Sequence, residues 1–145
     1  MIREAKPSDL DALLKLYLDL HETRVPEDSP RLREAWSRIL ADPGHHIVVC
    51  KVDGQVVSSC VCVVIPNLTR GARPYALVEN VVTHRSCRRR GYATQCLARA
   101  REIAEAAGCY KLMLLTGAKD AATLDFYRHA GYDDGEKTGF ILRLD

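Results

Sequence analysis

The sequence predicts an α/β (α+β) fold, a mixed sheet with helices on both faces. Three observations carry this reading. Short β-branched runs alternate with stretches whose apolar residues recur at helical spacing. The first half holds a strand-turn-strand signal at Val52-Asp53-Gly54-Gln55, so the sheet starts as an antiparallel meander. The second half reads strand, helix, strand, helix, which implies parallel pairing and cover on both faces. The chain has 145 residues and is 47% apolar, which suits one domain spanning 1–145 with a real core.

Ile2-Arg3-Glu4-Ala5 reads as a short first strand, and Ser8 as the cap of a first helix. Leu10, Leu13, Leu14, Tyr17 and Leu18 form that helix's apolar stripe. Ser29-Pro30 starts a second helix, carried by Leu32, Trp36, Ile39 and Leu40 and stopped by Asp42-Pro43-Gly44. His46–Lys51 and Val56–Ile65 are the two strands of the hairpin. A polar loop from Leu68 to Pro74 leads to a strand over Tyr75–Thr83. Ala93–Ala107 is a helix with Gly108 as its stop. Lys111–Leu115 is a buried strand, Asp120–Ala130 a helix stopped by Gly131, and Gly139–Leu144 a final strand. The predicted order is βααβββαβαβ.

Composition removes several function classes. The net charge is +2, with 28% charged residues of both signs mixed along the chain, unlike a dedicated nucleic-acid binder. No apolar run approaches the roughly 20 residues that span a bilayer, so no membrane partner is expected. Met1–Lys6 lacks the apolar stretch of a signal peptide, so a cytoplasmic location is expected. The six cysteines form no C-x-x-C pair, and no histidine stands at zinc-finger spacing. They read as reduced, small hydrophobes, and no metal is expected.

The chemistry concentrates in Arg88-Arg89-Arg90-Gly91-Tyr92-Ala93, between a strand and a helix. A helix start has unpaired N–H groups and a partial positive charge. Glycine there lets the backbone approach a pyrophosphate. Gly91 and Ala93 are the small residues, Arg88, Arg89 and Arg90 add charge, and Thr94 adds a hydroxyl. A Walker loop needs Gly-Lys-Ser/Thr, and a dinucleotide fingerprint needs three glycines; neither is present. Spacing alone leaves two readings, an anion site or a solvated basic turn. A nucleic-acid contact lacks an aromatic stacking platform beside it.

Arg88-x-x-Gly91-x-Ala93 resembles the Arg/Gln-x-x-Gly-x-Gly/Ala hallmark of the GNAT acetyltransferase superfamily. Glu79-Asn80-Val81-Val82-Thr83 looks like that family's fourth strand. Asp125-Phe126-Tyr127 through Ala130-Gly131-Tyr132 looks like its late aromatic segment. The three segments in this order cover essentially the whole chain. Val78–Val82 and Gly108–Lys111 are similar to glucosamine-6-phosphate N-acetyltransferases, and Pro66–Val82 to bacterial members without an assigned substrate.

The resemblance implies a mostly antiparallel sheet whose fourth and fifth strands splay around acetyl-CoA. Pantetheine would pair with the backbone of Val81, Val82 and Thr83. Pyrophosphate would sit on the N–H groups from about Arg89 to Thr94, with Arg88, Arg90, Gly91, Tyr92 and Ala93 completing the turn. An alkylamine acceptor must lose a proton first, since its pKa is about 10. Glu79 is the candidate base, with a substrate-binding carboxylate as the equal alternative. An N–H near Val81 would steady the oxyanion. Tyr127 is the candidate acid for the departing thiolate; without the resemblance it would read as a core tyrosine. Asn80 and Arg70 are assigned to the acceptor, and Tyr17 and Trp36 to the border of its pocket. The implied activity is direct acetyl transfer to the amine of a small molecule, in a chain that pairs as a homodimer. The competing readings are a non-catalytic acyl-CoA-binding module and an enzyme for protein or peptide amines.

Overall fold

The computed structural model describes residues 1–145. Five strands form one sheet: β1 (Ile2–Glu4), β2 (His45–Val52), β3 (Gln55–Ile65), β4 (Tyr75–Thr83) and β5 (Leu112–Leu114), in that spatial order. The first four pair antiparallel, and β4 pairs parallel with β5. The β2–β3 turn has Asp53 and Gly54 both at positive φ, 49° and 78°. That is the backbone twist a two-residue hairpin requires.

Two helices lie in the β1–β2 connection, α1 (Leu10–Leu16) and α2 (Pro30–Ala41). A kinked turn, α3 (Thr69–Ala72), precedes β4, and Arg70 and Gly71 there have left-handed backbone. The longest helix, α4 (Tyr92–Ala106), joins β4 to β5, and α5 (Ala121–His129) comes after β5.

Strand alternation divides the core in two. Val48, Cys60, Cys62, Ala76 and Val78 point to the α4 face, where they meet Cys96, Leu97, Ala100, Ile103 and Ala104. Phe126, Tyr127 and Tyr132 pack against the same cluster. Ile47, Val49 and Val61 point the other way and meet Leu10, Leu13 and Trp36. The Trp36 indole N–H donates to the Pro7 carbonyl at 3.3 Å, which fixes α2 over α1. Small residues let α4 lie close on β3, and the Cys60 and Cys62 thiols reach the carbonyls of Cys96 and Ala100. All six thiols are free. Burial pushes the Cys62 and Cys96 thiols up to about 11.

The structure corrects the sequence reading at four points. Ser8 does not cap the first helix. Asp9 is the buried anchor: its carboxylate accepts from the Lys6 N–H at 2.7 Å and pairs with Arg3 at 2.6 Å. That Arg3 hydrogen bond, above all else, holds the Asp9 carboxyl below its usual range. The strand expected over His46–Lys51 runs from His45 to Val52, pairing from His45 opposite Val63, with both histidines half-buried. The buried strand near 111–115 is only Leu112–Leu114. The final strand over 139–144 does not form: Phe140, Ile141, Leu142 and Leu144 are exposed outside the sheet. The run has strand composition, with Phe140, Leu142 and Leu144 on one face and Ile141 and Arg143 on the other, but it pairs with no strand of the sheet, and propensity without pairing does not make a strand.

Candidate active site

The cleft starts where two strands part. β4 and β5 pair only through Ala76–Val78 and Leu112–Leu114. Beyond Val78, β4 stays paired with β3 through Glu79, Val82 and Thr83 and leaves its β5-facing edge open. Parallel strands that diverge this way leave a wedge whose wall is unpaired backbone.

A bulge re-aims the side chains on that wall. Val61 faces Glu79 and Ser59 faces Val82, so two steps on β3 match three on β4. The extra residue is accommodated with Asn80 in left-handed backbone, φ 51°. Regular alternation would send Glu79 and Asn80 to opposite faces. The bulge turns both into one cavity on the α1–α2 side. The cleft end of β4 is pinned by buried hydroxyls: Ser58 Oγ donates to the Val82 carbonyl at 2.9 Å and meets Thr83 Oγ1 at 2.9 Å.

The basic turn lies just past β4. A single 3₁₀ turn over Arg85–Cys87 starts at His84, whose ring accepts from the Ser86 N–H. Gly91 is the N-cap of α4, with φ 81°, and no side chain caps the first turn. The first N–H groups of α4 therefore point outward unclaimed by a cap, the arrangement that receives anions. No heavy atom lies within 4 Å of a Cβ built on Gly91, so glycine is needed there for its backbone angle and not for space.

The arginines divide their work. Arg85 holds the nearly buried Asp19 carboxylate at 2.7 Å, and Arg88 reaches the Asp19 carbonyl at 3.4 Å. The Arg85 hydrogen bond is the main reason the Asp19 carboxyl sits below its usual range. These contacts tie the turn to the end of the α1 segment, 66 residues earlier. Arg89, at φ 62°, and Arg90 are exposed at the mouth of the turn. Asp19 carried no signal in the sequence, because its partner lies far away along the chain.

Tyr127 is half-buried on α5, edge-on to Phe126 at 5.1 Å and to Tyr132 at 6.3 Å. Burial pushes its phenol up, so it holds its proton through neutral pH. It packs on the α4-side cluster, whereas Glu79 opens toward α1 and α2. The two side chains thus approach the wedge from opposite faces of the sheet.

The cavity beside Glu79 has a volume of about 390 Å³ and fourteen lining residues, eleven of them apolar. Tyr17 and Trp36, which the resemblance assigned to the border of the acceptor pocket, line this cavity. The remaining three are His45, Glu79 and Asn80. His45 was missed as a lining residue, since its strand position was not evident. Arg70 stands apart, with its guanidinium 5.5 Å over the Tyr110 ring near the start of β4. Arg73 donates to the carbonyls of Gly108 and Cys109, closing the end of α4.

Comparison with known proteins agrees with this geometry. The family model described as Acetyltransferase (GNAT) family matches residues 10–132. An aminoglycoside N(6')-acetyltransferase type 1 of Serratia marcescens is 32% identical, covering 93% of this chain and 92% of that protein. A glucosamine 6-phosphate N-acetyltransferase of Trypanosoma brucei brucei is 33% identical, covering 99% of this chain and 94% of that one. A solved structure of a candidate acetyltransferase from Agrobacterium tumefaciens shares 41% identity and superimposes with a TM-score of 0.92, covering 99% of both chains. With the wedge, the bulge and the glycine turn all along β4 and its exit, and with most of its length matched, the chain belongs to the GNAT family of acetyltransferases.

Proposed function

We propose that the chain transfers an acetyl group from acetyl-CoA directly to the primary amine of a small molecule, acting as one domain over residues 1–145. The observation that carries this is the parting of β4 and β5 after Val78 beside the open start of α4. A pantetheine arm fits the wedge as an extra strand against Val81, Val82 and Thr83. The diphosphate lies on the N–H groups from Arg89 to Thr94, with Arg88, Arg89 and Arg90 around it and Tyr92 and Ala93 opening the helix.

Each position has a chemical task. The neutral amine attacks the thioester carbon from the Glu79 side. A C–N bond forms, the C–S bond breaks, and the amine proton passes to Glu79 or to water. Backbone N–H near Val81 steadies the oxyanion. Tyr127, kept protonated by burial, supplies the proton to the leaving thiolate. Asn80, turned into the cavity by the bulge, orients the acceptor.

Calorimetry with CoA, then product analysis with acetyl-CoA and primary amines, tests this. Tight CoA binding with acetylated amine is expected. CoA binding without transfer to any amine would leave only a binding module. We also propose that two copies associate. The exposed run Phe140–Leu142 with Leu144, and the free edge of β5, support pairing through the C-terminal arm. Sedimentation should show a dimer that becomes monomeric when residues 139–145 are removed.

A further inference from the structure

The cavity beside Glu79 constrains the acceptor, provided that the chain is the transferase proposed above. We propose that the preferred acceptor is a primary amine on an apolar body, an arylalkylamine or longer alkylamine, carrying a single positive charge and no phosphate.

The lining decides this. Eleven of its fourteen residues are apolar, including Leu14, Tyr17, Leu32 and Trp36. Glu79 is the one carboxylate, and no Lys or Arg takes part. An ammonium group entering amine-first meets Glu79 and Asn80, side by side because of the bulge. Its carbon body then covers leucine and aromatic surface drawn from α1 and α2.

Other amines meet mismatches. A polyamino sugar brings several ammonium groups, and only one finds a carboxylate. Asp19, just after α1, and Asp28, just before α2, are already engaged, with Arg85 and Arg33. A sugar phosphate brings a dianion into a lining that holds no cation. His45 does not supply one, since burial lowers its pKa and favours the neutral ring. Arg70 and Arg73 are held at the other end of β4. Hydroxyl-rich acceptors would also strand polar groups against Leu14 and Leu32.

The test is a matched panel with acetyl-CoA: n-propylamine, n-butylamine and n-hexylamine, 2-phenylethylamine, neamine, and glucosamine 6-phosphate. Acetylated products are measured by mass spectrometry and CoA release by thiol assay. Each added methylene is expected to raise kcat/KM about fourfold, from about 0.8 kcal/mol per buried CH₂. Neamine and glucosamine 6-phosphate should lie at least about 100-fold below 2-phenylethylamine. Leu32→Glu, which adds a second carboxylate to the lining, should cut the hexylamine rate about tenfold and narrow the gap to neamine, while KM for acetyl-CoA holds. Preferred turnover of neamine or glucosamine 6-phosphate overturns this inference and leaves the transferase reading intact. Acetyl-CoA binding with no turnover of any amine overturns both.

Discussion

The turn from Arg88 to Thr94 and the cavity behind Glu79 both adjoin β4, but they are built from different materials. The turn is backbone: a left-handed Gly91, an uncapped helix start, and an open strand edge at Val81–Thr83. The cavity is side chains, gathered from α1, α2, β2, β3 and the bulge in β4. Backbone geometry depends on a few local residues and tolerates change around them. A side-chain wall drawn from five elements changes with any one of them. On the proposed reading the donor end is therefore general, and the acceptor end is particular.

The contrast breaks first at Gly91. Gly91→Val should weaken acetyl-CoA binding about 100-fold, through a backbone angle that a β-branched residue resists. Arg89→Ala at the mouth should cost about fivefold or less, as exposed charges do. Calorimetry with CoA measures both, and the reverse order would mean that side chains hold the donor.

Next is the pair of catalytic candidates. Tyr127→Phe should lower kcat about 100-fold with CoA affinity unchanged. Because burial raises the phenol pKa, the wild-type rate should keep its acid through neutral pH and lose it only above about pH 10. A variant that matches wild type at every pH would return Tyr127 to a packing role. Glu79→Gln should cost about tenfold near pH 7 if the carboxylate takes the amine proton. That loss should shrink as the pH rises toward 10, where about half of the free amine is neutral. A loss constant with pH would assign Glu79 to holding the acceptor.

The smallest effect tests the link between the two regions. Asp19→Asn should destabilise the fold by about 1–2 kcal/mol in denaturant melts, through the lost Arg85 pair. Its carboxyl pKa is lowered in the folded chain, so that stabilisation is present above about pH 4 and fades as pH falls through the lowered value. Wild type and variant should converge in acid.

Legibility in the sequence follows the same division. Asp53-Gly54 foretold the hairpin, and Gly91 before a helical stripe foretold the turn, because each signal is local. The bulge was not legible, since nothing in Glu79-Asn80 distinguishes it from a regular strand until β3 is laid beside it. His45 and Asp19 were missed because their partners lie elsewhere in the chain. The segment at 139–144 has strand composition and stays outside the sheet, because propensity alone does not decide pairing. Tyr127 came from motif resemblance, and its burial beside Phe126 and Tyr132 needed the packed fold.

The distribution of thiols has a practical use. Cys50, Cys60, Cys62 and Cys96 are sealed between sheet and helix, and burial raises the thiol pKa of each. Cys87 and Cys109 are the two that reach the surface. Burial holds the Cys109 thiol up as well. After Cys109→Ser, the folded chain carries one addressable label, four residues before Gly91, that can report ligand arrival at the turn by fluorescence without an engineered cysteine.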